Sequence, residues 1–355
     1  EDFKTGNLQK FYVQEGRADL SKTSPDRSIF QRKNYLQIGL VEAARGCRFT
    51  CDFCAIQTFF KNTQAARPIE SIIREIKEIQ KDLIFFVDDN LVSNPVWTKE
   101  FLKALVPQKI RWVGQASINV AFDKEILHLL KESGCFGLLI GFETLNTKNL
   151  RTMNKLFNTM SGGFVEAVKN LRSYGIRLYP TFIFGYPEDD LNCFRETVDF
   201  AKKQKFLITS FNHLTPFPGT PLYKRLENEN KLIYEKWWLD DKYSYGEAPL
   251  KIDFLTPEQI KENCIHIRKS FYSMPSIVKR AFDRVNCNDS FSLKTFFILN
   301  MMFRKEVSER EGYPLGDESY QGSLLKARHS DTRTYAEWLQ GSYKNKNVME
   351  VVVKS

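Results

Sequence analysis

The stretch Arg45-Gly46-Cys47-Arg48-Phe49-Thr50-Cys51-Asp52-Phe53-Cys54 carries three thiols in a C-x3-C-x2-C spacing. Soft thiolates this close together can hold three corners of an iron–sulfur cube. A closed electron-transfer cluster takes four cysteines and a structural zinc takes four ligands, so the missing fourth ligand is the informative feature. The next cysteine is Cys135, and no histidine precedes His128. Three ligands would leave one iron open to a small molecule. A disulfide with a spare thiol fits poorly, because seven cysteines in 355 residues without a recognisable secretory segment do not make a secreted framework.

The loop resembles the signature of the radical S-adenosylmethionine (SAM) superfamily, C-x3-C-x-aromatic-C, with Phe53 as the aromatic. The resemblance implies that Cys47, Cys51 and Cys54 ligate a [4Fe–4S] cluster whose open iron chelates the amino and carboxylate groups of SAM. An electron from a flavodoxin- or ferredoxin-like donor would then cleave the sulfonium to a 5′-deoxyadenosyl radical, which takes hydrogen from a C–H bond of a small-molecule substrate. Two other classes stay open: a non-catalytic iron–sulfur carrier, and cleavage of another sulfonium bond with aminocarboxypropyl transfer.

The surrounding chain alternates. Tyr35–Ala43 suits a strand that delivers the cysteine loop, and Pro68–Lys81 has Ile69, Ile72, Ile73, Ile76 and Ile79 at helical spacing. Leu83–Val87, Ile110–Val113, Phe136–Ile140, Arg177–Phe184 and Phe206–His213 read as further strands. Trp97–Leu105, Asp123–Ser133, Gly162–Tyr174 and Asp190–Lys203 read as helices. Six strands, most followed by a helix, predict an α/β fold: a partial (β/α)6 relative of the eightfold barrel, with sites at the carboxyl ends of its strands. Residues 1–35 read as a linker or strap, 36–235 as the barrel and 236–355 as a mostly helical extension, with helices at 257–274, 275–285 and 291–309. The aromatic stretch 234–245 and this tail would form a lid.

The unusual polar residues follow the strands. By resemblance, Asp88, Asp89 and Asn90 meet the SAM amino group, while Ser117, Asn119 and Glu143 serve its ribose and methionine parts. A carboxylate after a strand as apolar as Leu138-Leu139-Ile140-Gly141-Phe142 needs a cation or a donor, so a Lys or Arg partner is the competing reading for Glu143. Phe182 to Gly185 resemble the adenine-side strand, with Phe184 and Gly185 as cofactor contacts and Ile183 as core. Thr215 opens a stiff Pro- and Gly-rich loop that would shape a substrate pocket. His213 lies at the mouth, and Tyr186 is a weaker substrate contact. Cys135, Cys193, Cys264 and Cys287 are too scattered for a second cluster and read as small hydrophobes.

The resemblance reaches about residues 35–305. The Asp88-Asp89-Asn90 ending, the stretch Thr215–Tyr223 and the pair Trp237-Trp238 resemble the branch with a cobalamin-binding domain before the barrel, which includes hopanoid methylases and the bacteriochlorophyll ring cyclase. The 355 residues hold no such domain ahead of the barrel, which gives the expectation of either a truncated form or a stand-alone enzyme that uses SAM without cobalamin; cobalamin enters only if an upstream domain or a partner supplies it. The charge of +9 (52 basic against 43 acidic residues) is scattered, which argues against nucleic acid. The longest apolar run, near Phe296–Phe303, is too short to span a bilayer. The start lacks an initiator Met and a signal peptide, giving the expectation of a processed end or a fragment and of the cytoplasm, a reducing compartment suited to cluster thiolates.

Overall fold

A computed structural model of the chain describes residues 2–12, 19–22, 25–27, 37–240, 242–243 and 246–309. Its strands are β1 (Gly39–Val41), β2 (Ala44–Gly46), β3 (Gln64–Ala66), β4 (Leu83–Phe86), β5 (Arg111–Ala116), β6 (Cys135–Glu143), β7 (Arg177–Phe184) and β8 (Ser210–His213). Six of them form one parallel sheet in the order β1-β4-β5-β6-β7-β8. Each later strand lies beside its predecessor, as barrels are wound. Among the described residues β8 does not pair with β1, so the expected partial (β/α)6 architecture is open on that side. β2 and β3 make a separate antiparallel ribbon that brackets the cysteine loop, an element absent from the sequence reading.

Strand alternation decides which side chains reach the barrel interior. In β7, Leu178, Phe182 and Phe184 are buried against the helical layer, while Tyr179, Thr181 and Ile183 on the opposite face are only half-buried. The helices keep to the forecast stretches: Ile69–Ile79 buries Ile72 and Ile76. Asp123 and Asp190 cap Lys124–Glu132 and Leu191–Lys203, accepting the otherwise unpaired first-turn N–H groups of Ile126 and of Asn192 and Cys193. The last strand is shorter than expected. Phe206, Leu207 and Ile208 are buried yet lie outside β8, and the carbonyls of Phe206 and Leu207 are taken by Arg280.

The barrel and the described segments that follow it, up to Glu309, belong to one compact unit. Beyond the barrel come helices Pro257–Phe271, Met274–Ala281 and Ser290–Glu309, the first opened by a Thr256–Gln259 capping box. The forecast tail from 310 to 355, and about half of the 1–35 strap including Tyr35 of the first forecast strand, lie outside the described residues.

Arg280 fastens these helices to the barrel. It is 1% exposed, donates to the carbonyls of Phe206 (2.9 Å), Leu207 (3.0 Å) and Phe271 (3.1 Å) and to Asn300 Oδ1 (2.8 Å), and lies 3.9 Å over the Phe271 ring. Arg280→Met keeps volume but orphans these acceptors, so denaturant unfolding is expected to show a loss of about 2–4 kcal/mol.

Candidate active site

The cysteine loop is held from three sides. At its start, Gly46 has φ +90, and a Cβ there would lie 2.2 Å from the Thr63 carbonyl. Only glycine fits that close passage. Its N–H donates to Asp89 Oδ2 at 2.8 Å. Gly46→Ala is expected to cost at least about 2 kcal/mol in thermal unfolding and to lower the iron the loop retains. In the middle, Asp52 accepts the Tyr186 hydroxyl at 2.7 Å on Oδ1. Its Oδ2 lies 2.8 Å from Arg225 Nη2, an ion pair at an angle outside hydrogen-bond geometry. The Asp52 N–H donates to Met153 O (3.1 Å), and Leu222 N–H donates to Asp52 O (3.0 Å). At its end, Cys54 N–H donates to Cys51 O (3.2 Å), and Cys54 starts the helix Ala55–Phe60.

All seven cysteines are free; Cys51 is buried, Cys47 and Cys54 half-buried. Burial pushes the Cys51 thiol up to about 12, opposed by the positive charge of Lys155, and burial likewise raises Cys54. No three described His, Cys, Asp or Glu side chains converge on a point suited to one metal ion. Ligands to three separate irons of a cube need no such convergence.

The strand-end residues sort into contacts made and contacts available. Asn90 Nδ2 donates to Cys47 Sγ (3.5 Å) and Ser117 Oγ (3.2 Å), joining the β4 and β5 ends to the loop. Asn119 Oδ1 is buried without a donor. Asp88 departs from its forecast role at an ammonium: it is 1% exposed, and its carboxylate accepts the N–H groups of Ala43 (3.0 Å) and Ala44. Burial raises its pKa to about 7 against those two bonds.

Glu143 sits at a register shift in β6 with φ +63, where a bulge re-aims the side chain. Its carboxylate takes an ion pair from Lys155, whose ammonium also donates to Gly141 O at 2.9 Å. Lys155, which carried no sequence signal, is 7% exposed and lies 5.9 Å from the Phe53 ring centroid.

The side a strand residue faces bears on two further expectations. Phe184 is 2% exposed and stacks on Phe194 at 4.3 Å, so its ring packs in the outer core. Ile183, read as core, is half-buried and lines the cavity instead. Tyr186, expected as a weaker substrate contact, is fully buried with its hydroxyl on Asp52 and does not line the cavity. Gly185, at φ +121, donates to Asp189 Oδ2 at 2.8 Å and turns the chain after β7.

A cavity of about 670 Å³ opens beside the loop. Phe53, Ile183, His213, Thr215, Trp237 and Tyr243 line its end nearest the cysteines; Tyr179, Ser210 and Phe303 line the other. The aromatic stretch expected as a lid supplies Trp237 and Tyr243; Asp241, Ser244 and Tyr245 lie outside the described residues. Trp237 is fixed by its Nε1–H to Pro216 O (2.8 Å). Burial first, then Arg268 and Lys261, lower His213 to about 4, so its imidazole is neutral near pH 7.

Residues 41–201 match the family model described as Radical SAM superfamily, and over this stretch the chain is similar to that superfamily. It is 29% identical over 290 residues to the bacteriochlorophyllide d C-12(1)-methyltransferase of Chlorobaculum tepidum, covering 79% of this chain and 62% of that one. It is 26% identical over 264 residues to the hopanoid C-2 methylase of Rhodopseudomonas palustris, covering 70% and 47%. To the anaerobic magnesium-protoporphyrin IX monomethyl ester cyclase of Cereibacter sphaeroides it is 24% identical over 323 residues, covering 87% and 51%. The chain thus spans about half to three fifths of the length of these relatives. In fold it is similar to the radical SAM methyltransferase TsrM from Kitasatospora setae, solved with cobalamin and a [4Fe-4S] cluster bound: TM-score 0.52, 15% identity, 77% of this chain and 61% of that one.

Proposed function

We propose that the chain is a radical SAM enzyme that activates a C–H bond of a small-molecule substrate, with methyl or other group transfer as the outcome its relatives favour. The observation that carries the reading is the loop itself: three free thiols and no fourth cysteine near them, with an amide N–H on the Cys47 sulfur. The remaining donor set fits SAM. Asn119 offers an unmet acceptor for an N–H or O–H, and Glu143 with Lys155 offers opposite charges for an amino acid's ammonium and carboxylate.

Bound there, a [4Fe–4S] cluster would supply the electron that cleaves SAM to a 5′-deoxyadenosyl radical. Cys47, Cys51 and Cys54 would hold it, with Asn90 donating to sulfur and so tuning its potential. Asp89 and Asp52 hold the loop backbone in place. Ser117 meets Asn90, and Phe53 and Thr215 face the cavity, where aromatic walls exclude water from a reactive centre. Gly185 would serve by backbone shape, and the Phe184 side chain has no role in this scheme. A flavodoxin- or ferredoxin-like donor would deliver the electron, in a reducing compartment such as the cytoplasm. No helix among the described residues is long and apolar enough to cross a membrane. Cobalamin would come from an upstream domain or a partner.

Anaerobic reconstitution with iron, sulfide, SAM and dithionite, followed by mass analysis of the nucleoside, tests this. 5′-Deoxyadenosine is expected, accompanied by S-adenosylhomocysteine if a methyl group is also transferred; S-adenosylhomocysteine alone would contradict the radical step. Methylthioadenosine, or no SAM turnover over a spectroscopically intact cluster, would overturn it.

A further inference from the structure

The helix Pro257–Phe271 turns Lys261, Cys264, Ile265 and Arg268 toward the cavity, a spacing of i, i+3, i+4, i+7 that defines one face. That face packs on β8, where apolar residues are the rule, yet two of the four carry positive charge. Neither Lys261 nor Arg268 pairs with a carboxylate among the described residues. The Arg268 guanidinium is fixed, because its Nε and Nη2 donate to Phe211 O at 2.9 and 2.6 Å; this leaves Nη1 for another acceptor. Both charges are felt at His213, whose imidazole they help keep neutral. The positive field therefore falls on the cavity at the carboxyl end of β8, near Thr215. Around it the walls are aromatic: Phe53, Tyr179, Trp237, Tyr243 and Phe303. Glu306 lines the opposite end, where it acts on Tyr179 and Tyr272 and is not without a partner.

We propose that this cavity takes a substrate with a flat unsaturated ring body and a carboxylate, the ring lying among the aromatic walls and the carboxylate meeting Arg268 and Lys261. The assignment rests on reading the cavity as the substrate site of the enzyme proposed above. About 670 Å³ accommodates a ring system of drug size. Lys261 and Arg268 are half-buried beside an aromatic cavity, where two cations without an anion are less well solvated than in water, and a ligand carboxylate would meet them through charge-assisted bonds.

The test uses the full chain, reconstituted without oxygen, and 1-pyrenebutyrate as the probe, with its methyl ester as the uncharged comparison. By fluorescence anisotropy the acid is expected to bind about tenfold more tightly than the ester, a difference of about 1.4 kcal/mol. Lys261→Met is expected to weaken the acid five- to tenfold and to leave the ester unchanged; Arg268→Met is expected to weaken the acid further. Since Arg268 also holds the Phe211 carbonyl, Lys261→Met carries the test if the Arg268 variant does not fold. In the same samples the His213 ring resonances should titrate at higher pH once a repelling charge is removed. Equal affinity for acid and ester, an unchanged acid affinity in Lys261→Met, or an unmoved His213 midpoint would each overturn the proposal. Benzoate should displace the probe better than inorganic phosphate; the reverse order would replace the carboxylate with a phosphate and overturn this assignment. The cluster's absorbance response to SAM is recorded in parallel. If wild type lacks that response while discrimination between acid and ester persists, it is the radical SAM reading that fails and the anion site that stands.

Discussion

Cys51→Ala is expected to leave the chain folded but to cut SAM cleavage at least about 10³-fold, because the loss falls on a ligand and not on packing. Cys51 is nearly as buried as Cys135, and in both the thiol is pushed up chiefly by burial. By environment alone the two would be interchangeable. They differ in neighbours: Cys51 lies on one loop with Cys47 and Cys54 and within the field of Lys155, whereas Cys135 opens β6 with its sulfur toward Gly137 O (3.8 Å). Iron bound per chain should therefore fall from about four to a small fraction in Cys51→Ala and stay level in Cys135→Ala. Both variants should unfold within about 2 kcal/mol of wild type, since each removes one buried sulfur. Iron retained by Cys51→Ala at the wild-type level, or zinc bound in its place by wild type, would contradict the ligand assignment.

The barrel was legible because its signals are local. Runs such as Leu83–Phe86 are apolar throughout, as buried parallel strands are, and helices such as Ile69–Ile79 have a repeating apolar face, with a capping aspartate before Lys124–Glu132 and Leu191–Lys203. The cysteine spacing was legible for the same reason. What could not be read depends on contacts between distant residues. Strand parity at Phe184 and Ile183 follows from where β7 meets its neighbours, and one step of register exchanges core for cavity. Asp88 looks like any strand-end carboxylate until the chain turns between β1 and β2 and presents two N–H groups to it. β8 begins late because Arg280, some seventy residues onward, takes the carbonyls that a longer strand would use. Asp52 and Arg225, and Glu143 and Lys155, are pairs whose partners share no motif.

The second large effect is expected at that last pair. Lys155→Met should destabilise the chain by about 3–5 kcal/mol, because it leaves the Glu143 charge, 5% exposed, without its cation. It also removes a side-chain donor to Gly141 O, where Asn158 Nδ2 at 3.3 Å is the other. Glu143→Gln alone should cost less, since the ammonium keeps a carbonyl and gains a neutral acceptor. The double variant Lys155→Met/Glu143→Gln should recover much of the loss and unfold within about 1–2 kcal/mol of wild type. The bulge makes the arrangement hard to rebuild elsewhere: a Cβ on Gly141 would lie 2.0 Å from Glu143 Oε1 and 2.7 Å from Lys155 Nζ, so Gly141→Ala should behave like Lys155→Met. A second readout separates this from plain core damage. Lys155 opposes the rise of the Cys51 thiol, so without it that thiol holds its proton more tightly and iron loading at fixed pH should slow, whereas Arg280→Met should lower stability and leave loading unaffected. Thermal midpoints and loading rates that do not move in Lys155→Met would show that the pair neither holds β6 in place nor acts on the cysteine loop.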